Sequence, residues 1–455
     1  ARATPTMDAN HRVFVASVVS VGIVMVVSLR CLRSRRPSAS DLSAQHAPAS
    51  ATDALRDLAA AASAAAYSFD TYGKGGSLQA FESSVADVLG KPAAAFFCTG
   101  TAAQQAVLYA HTSPVDEQRG NNLPPLVLLH GTSHLVFLDC LRDGRSQVAG
   151  FETNARDNLP GFEVLPFCTC APLSDDDMTR MPTVADVERA LRAGRHARGR
   201  RPAVVVLELP QRMNGGATVS LNELRRISAL CRERSIRLHC DGARLWEVQP
   251  YYGIPLAELA ALFDSVYVSF YKGLGALAGA MLLGDRATID AARTWQKRRG
   301  GDVFTRGPLA LSCEAQFRNV ILRQSLSAAS SRALSFEARY ARLCHCVCII
   351  KSLVAEMSTP LVFFDPPTPQ SCIVHVYLRG MPEFLERCHT SAREKTGTRL
   401  WNVLRGHGHA ALVDDPGQWN YFEWSMGSAN ALVADADLEA GWRAFLAELR
   451  CLSRC

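Results

Sequence analysis

From Tyr67 onward the apolar residues of this chain recur with two alternating spacings. Residues 77–90, SLQAFESSVADVLG, place Leu78, Phe81, Val85, Val88 and Leu89 on one helical face and stop at Gly90. The apolar run AAAFF (93–97) predicts a short buried strand, which Cys98-Thr99-Gly100-Thr101 turns into a second helix, AAQQAVLYAH. LPPLVLLH (123–130) predicts another strand. PAVVVLELP (202–210) has no polar alternation, the pattern of a strand covered on both faces in a parallel sheet. Ser220 and Glu223 have the spacing of a capping box and open a helix over SLNELRRISALCRER. SIRLHCD (235–241), SVYVSF (265–270) and AGAMLLG (278–284) continue the alternation. Strand, helix, strand, repeated, predicts an α/β fold with a mainly parallel central sheet. Beyond about residue 310 the pattern changes to a long helix, strands near 361–364 and 372–378, and a last helix at 437–450. The predicted organisation is a large domain over 67–310 and a smaller C-terminal α+β domain over 311–455.

The first 66 residues follow neither spacing. Residues 13–29, VFVASVVSVGIVMVVSL, carry no charge and are followed at once by Arg30, Arg33, Arg35 and Arg36. That order is the reverse of a cleaved signal peptide, and its length is at the short end for a membrane span. Residues 1–36 therefore read as a membrane anchor with a basic flank, which leaves the bulk of the chain in the cytoplasm. A cytosolic or mitochondrial location, the latter through a transit peptide, is the alternative. Residues 37–66, rich in Ala and Ser, read as a linker with a weak helical stretch at 52–66.

Composition narrows the class. With 455 residues, 48% apolar and 20% charged, the chain can bury a large core, and its net charge of +6 is dilute. The basic run RAGRHARGRR (192–201) has no interleaved aromatics, so nucleic acid is not an expected partner. The fifteen cysteines are odd in number and sit mostly in apolar strings such as LCHCVCII, with Cys344, Cys346 and Cys348. They read as buried thiols of a reducing compartment. A metal cluster is the other reading, but no matching Cys or His pair follows at finger spacing, and no metal is expected.

The candidate chemistry begins at a lysine. There are six lysines against 43 arginines, and Lys272 follows an apolar strand where the chain thins to Gly and Ala, in SVYVSFYKGLGALAG. Unlike arginine, a desolvated lysine can lose its proton near neutrality and form a Schiff base. In open parallel sheets ligands bind beyond the carboxyl ends of the strands. Three polar groups fall at such ends: Thr99-Gly100-Thr101, Asp241 and Lys272. A glycine-containing turn opening a helix suits a phosphate, a carboxylate suits a protonated pyridine nitrogen, and an amine suits an aldehyde. Together these are the requirements of pyridoxal 5'-phosphate.

The blocks YGKGGSLQAFESSVADVLGKPAAAFFCTGTAAQQAVL, ELPQRMNGG, HCDGARLWE and DSVYVSFYKGLGALAGAMLLG resemble, in order and spacing, the threonine aldolase and β-eliminating lyase group of fold-type-I enzymes. The resemblance runs from about Tyr67 to Arg306. It implies Lys272 as the Schiff-base lysine, Asp241 as the pyridinium partner, Arg244 as the grip on the substrate carboxylate, and Thr99, Gly100 and Thr101 at the phosphate. His134 matches the family histidine that stacks on the cofactor ring and acts as a base, with His130 as the fallback. The implied reaction is cleavage of the Cα–Cβ bond of a β-hydroxy amino acid to glycine and an aldehyde; β-elimination and a non-catalytic scaffold are the alternatives. A homodimer or homotetramer is implied, with the basic turn Lys297, Arg298 and Arg299 as a candidate for reaching a neighbour. Two features depart from the family. The place of its N-terminal Arg-Ser-Asp-Thr segment is filled by alanine-rich chain. Its second carboxylate-binding arginine, on a C-terminal strand, is replaced by YFEWSMG (421–427). Glu423 there predicts weak binding of ordinary amino acids, or preference for a cationic substrate, if it faces inward. If Phe422 or Ser425 faces inward instead, Glu423 lies in solvent.

Overall fold

The structure is a computed structural model that describes residues 40–47, 49–116, 125–135, 139–140, 146–147, 163–167, 181–198, 202–324, 335–355, 361–406 and 419–452. The apolar run at 13–29 lies outside the described residues. Among the described residues no helix is long and apolar enough to cross a membrane.

The strands in chain order are β1 (Ala93–Phe97), β2 (Leu126–His130), β3 (Asp139–Cys140), β4 (Ser146–Gln147), β5 (Glu163–Phe167), β6 (Pro202–Glu208), β7 (Arg237–Gly242), β8 (Ser265–Ser269), β9 (Ala280–Gly284), β10 (Val362–Asp365), β11 (Ile373–Arg379), β12 (Arg405–Gly406) and β13 (Trp419–Ser425). Seven of them form one sheet in the order β1-β9-β8-β7-β6-β2-β5. From β5 to β8 every pairing is parallel, as the unbroken apolar run of β6 predicts. AGAMLLG is the exception, because β9 runs antiparallel to both β8 and β1. The ten residues between β8 and β9 are too few for a helical crossover, so the chain can only turn back. Reversing twice makes β1 parallel to β8, and the carboxyl ends of β1, β6, β7 and β8 therefore share one edge.

The helices obey their apolar faces. In Leu221–Glu233, Leu224, Ile227, Leu230 and Cys231 are buried, and Ser220 accepts from the Glu223 N–H at 3.3 Å. The reciprocal half of the capping box is spent elsewhere: Glu223 accepts from the Val184 N–H at 2.7 Å, capping the helix Val184–Arg198. One aromatic cluster anchors the end of β8. Phe270 packs against Phe81 at 5.3 Å and Phe317 at 6.3 Å between ring centroids. The Trp246 indole donates to the Ser269 carbonyl at 3.0 Å. Burying a ring the size of Phe270 is worth about 1.5–3 kcal/mol, so the chain two residues before Lys272 is firmly placed.

The C-terminal unit is a four-stranded antiparallel sheet, β10-β11-β13-β12, backed by the helices Phe336–Ala355, Pro382–Thr396 and Asp435–Leu452. Residues 40–46, inside the stretch read as a linker, are bonded to it. The Leu42 carbonyl accepts from the Trp424 indole and the Asn430 amide, each at 3.0 Å, and the Leu42 side chain is buried. No periodicity marks so short a segment, because its hold comes from backbone carbonyls and one leucine. The weak helical stretch forms the helix Ala51–Ala64, capped by Ser50.

Candidate active site

The sheet register lines up the first components. Glu208 stands beside Asp241, and Asp241 beside Tyr267, on adjacent parallel strands. Cross-strand partners share a face, so two carboxylates and a phenol form a row at the carboxyl edge. Asp241 is buried, and its Oδ2 accepts from the Gln104 side-chain amide at 2.9 Å while Oδ1 accepts from the Ala243 N–H at 3.2 Å. Gln104 comes from the helix Gly100–Asp116, which ties the cap of that helix to the acid. At the helix start, Thr99 caps through its hydroxyl, accepting from the Ala102 N–H at 3.2 Å. Gly100 is required there by space: a Cβ would lie 2.0 Å from the Tyr267 hydroxyl oxygen. The N–H groups of Gly100 and Thr101 thus open a helix on the edge that carries Asp241.

Lys272 lies just past β8, on a turn closed by the Gly275 N–H donating to its carbonyl at 3.1 Å. His46 donates to the same carbonyl through Nε2, at 2.7 Å. Gly275, at φ +80°, leaves room for that ring, since a Cβ would lie 2.8 Å from its Nδ1. Burial, and next the charge of Arg244, lower the Lys272 amine from 10.5 to about 8 against the opposing pull of Asp241 and Glu208. The amine thus has a substantial neutral fraction near physiological pH.

Arg244 is nearly buried at the start of the helix Leu245–Tyr252, with Nε 3.7 Å from Glu247 Oε1. Glu247 is fully buried, and burial raises its pKa although Arg244, Arg339 and Lys272 oppose this. His134 lies half-buried in the loop after β2, where its backbone N–H donates to Glu208 Oε2 at 3.1 Å. Burial, followed by the charges of Lys272, Arg212 and Arg244, lowers its imidazole to about 3. It is therefore neutral at physiological pH. His130, the last residue of β2, is buried, with Nδ1 2.8 Å from the Thr132 hydroxyl.

Glu423 faces the site, not solvent. Its side chain is 14% exposed and takes a two-point ion pair from Arg212, Nε to Oε2 at 2.7 Å and Nη2 to Oε1 at 3.2 Å. Phe422, on the opposite face of β13, stacks on Trp401 at 5.3 Å. The predicted like charge against an incoming carboxylate is therefore already compensated by Arg212. Arg298 and Arg299 of the basic turn pack on their own chain, against Trp295 and Tyr109. Cys344, Cys346 and Cys348 lie on the helix Phe336–Ala355, and among the described residues no group of three or more His, Cys, Asp or Glu could hold a metal ion.

The fold brings the expected Lys272, Asp241, Arg244, Thr99, Gly100, Thr101 and His134 to one edge. Beside them stand Glu208, Gln104, Glu247, Arg212 and His46, to which no expectation from the sequence gives a role. Glu208 carried the same signal as Asp241, a lone acid closing an apolar strand. Gln104, Glu247 and Arg212 lie inside the quoted blocks, where only their tertiary neighbours single them out, and His46 lies outside every block.

The donor set fits pyridoxal phosphate: a desolvated amine, a buried carboxylate fixed by two N–H donors, and a helix start held tight against the sheet. These features define a fold-type-I pyridoxal-phosphate site. Residues 48–359 match the family model described as beta-eliminating lyase, and the chain belongs to that family of pyridoxal-phosphate-dependent lyases. The match extends beyond the quoted blocks at both ends. Aldolase vrtJ of Penicillium aethiopicum is 32% identical over 267 residues, 58% of this chain and 61% of that protein. The alanine racemase TOXG of Cochliobolus carbonum is 32% identical over 242 residues, 52% of this chain and 54% of that protein. The chain thus spans between half and two thirds of the length of these curated relatives. A solved structure from Listeria monocytogenes EGD-E, assigned as an L-allo-threonine aldolase, superposes with a TM-score of 0.69 at 27% identity, covering 91% of this chain and 98% of that one.

Proposed function

We propose that this protein cleaves the Cα–Cβ bond of a β-hydroxy amino acid, threonine or a close analogue, releasing glycine and an aldehyde. The observation that carries the reading is the convergence of Lys272, Asp241 and Arg244 on one sheet edge, with His134 bonded to Glu208 beside them. Lys272, Asp241, Gly100 and Thr101 would hold pyridoxal phosphate, which supplies an aldehyde for the amine and an electron sink for the bond that breaks. The chain's own residues do the rest. Arg244 binds and orients the α-carboxylate. Asp241, held by two N–H donors, presents its carboxylate to a positive charge deep in the site. His134, neutral because its charged form meets burial and three cations, accepts the β-hydroxyl proton at a ring nitrogen. The same cations favour its prompt release of that proton.

The names of the relatives span aldolase and racemase, so the products decide. The full chain loaded with cofactor should show a Schiff-base absorption band that Lys272→Ala abolishes. With L-threonine it should yield glycine and acetaldehyde. Pyruvate from L-serine would instead assign β-elimination, and loss of optical activity from L-alanine would assign racemisation. No cofactor uptake by the wild-type chain would sink the enzyme reading altogether. A homodimer or homotetramer is part of the same reading, and a fully active monomer in light scattering would exclude it. Membrane attachment through residues 13–29 is proposed as well; release of the full chain from membranes by salt alone would refute it.

A further inference from the structure

Two arginines, not one, bear on the reacting groups. The charges of Arg244 and Arg212 both disfavour the protonated forms of Lys272 and His134. These cations face Asp241, Glu208 and Glu423, and Glu208 accepts from both the Arg212 N–H and the His134 N–H, each at 3.1 Å, so Arg212 starts on the edge where the cations would meet an entering anion. An amino acid substrate brings one, its α-carboxylate.

Arg212 is carried there by a rigid device. It opens a short turn, Arg212–Asn214, after β6, and its backbone N–H donates to Glu208 Oε1 at 3.1 Å. The following glycines press that turn onto the small domain. A Cβ on Gly215 would lie 1.9 Å from the Asp365 carbonyl oxygen, and one on Gly216 would lie 2.5 Å from the Ser371 hydroxyl. Both have positive φ, +63° and +75°. From that position Arg212 reaches Glu423 on β13 with the paired geometry that only a guanidinium offers. Burial pushes the Glu423 carboxyl up, but His375, at 3.8 Å, and Arg212 hold it well below the usual carboxylate range. Glu423 is thus a permanent anion anchoring the arginine.

We propose that Arg212 is a specificity-determining residue that binds the α-carboxylate of the substrate together with Arg244, and that Glu423 is its positioning residue. The proposal rests on the reading that the substrate is an amino acid. It replaces the expectation that Glu423 selects a cationic substrate.

The test uses binding, not turnover, so it is independent of which bond the enzyme breaks. Glycine and methylamine differ by the carboxylate alone. Their affinities for the cofactor-loaded full chain are measured by calorimetry and by the change in cofactor absorption. Wild type should bind glycine much more tightly than methylamine. Arg212→Gln should weaken glycine ten- to a hundredfold and leave methylamine unchanged, as expected for losing one charge-assisted contact. Arg212→Lys, which keeps the charge without the fork and guards against a folding defect, should fall between. Glu423→Gln should weaken glycine by less than Arg212→Gln. Unchanged glycine affinity in Arg212→Gln, or equal loss for both ligands, overturns the proposal and leaves the lyase reading standing. A wild-type protein that does not distinguish the two ligands overturns both.

Discussion

Replacing Lys272 by methionine should stabilise the cofactor-free protein, and by an amount that depends on pH. The amine sits at about 8 in the folded chain against 10.5 for a free lysine, because burial and Arg244 outweigh Asp241 and Glu208. The unfolded chain therefore binds more protons than the folded one between those values, so stability rises with pH across that window. Below pH 8 the folded protein carries a poorly solvated ammonium, and the penalty is fully present. Integrated from the two values, it is about 3 kcal/mol at pH 7 and about 1 kcal/mol at pH 10. Lys272 keeps some solvent exposure, so screening makes both figures upper values. Methionine retains most of the stem's apolar bulk and removes the charge. The measurement is urea unfolding of the cofactor-stripped wild type and Lys272→Met at pH 7 and pH 10, compared through midpoints at equal slope. The variant should be the more stable at pH 7, and its advantage should shrink by roughly 2 kcal/mol at pH 10. An advantage that is the same at both pH values, or no advantage at pH 7, would refute the idea that the site holds its amine against an electrostatic cost.

Other consequences follow from the same geometry. Asp241→Asn sets an amide against two N–H donors that now serve a carboxylate, and loss of one charged contact, about 1.5–3 kcal/mol, should weaken cofactor retention at least tenfold in equilibrium dialysis. Gly100→Ala drives a methyl to 2.0 Å from the Tyr267 oxygen and 2.6 Å from its ring carbon, so a loss of about 1–3 kcal/mol is expected in thermal unfolding, with Tyr267→Phe giving only partial relief. His46→Ala removes the 2.7 Å bond to the Lys272 carbonyl; it should lower stability by only about 0.5–1.5 kcal/mol yet reduce kcat, and His46→Asn should partly restore kcat if the bond positions the lysine.

The central strands were legible in the sequence because a strand covered on both faces is mostly apolar, as β6 is up to Glu208 and β8 is between its two terminal serines. The groups that close such strands were legible for the same reason: a charge where burial ends has to be satisfied or used. Hence Asp241 and Lys272 could be found from their neighbours alone, and Glu208, at the end of β6, carried the same mark. Blocks of residues in fixed order then pointed to the cofactor. The reversal of β9 was not visible, since an apolar pentapeptide has no direction. Nor was the hold on residues 40–46, which depends on backbone carbonyls that every residue type possesses. The sense of Glu423 was undecidable from its own strand, because a period of two gives alternation but not which face is inward. Arg212, more than two hundred residues away in the chain, decided it. A charge pair is set by distance in space, and only the packing of the 212–216 turn on the small domain brought those two side chains to 2.7 Å.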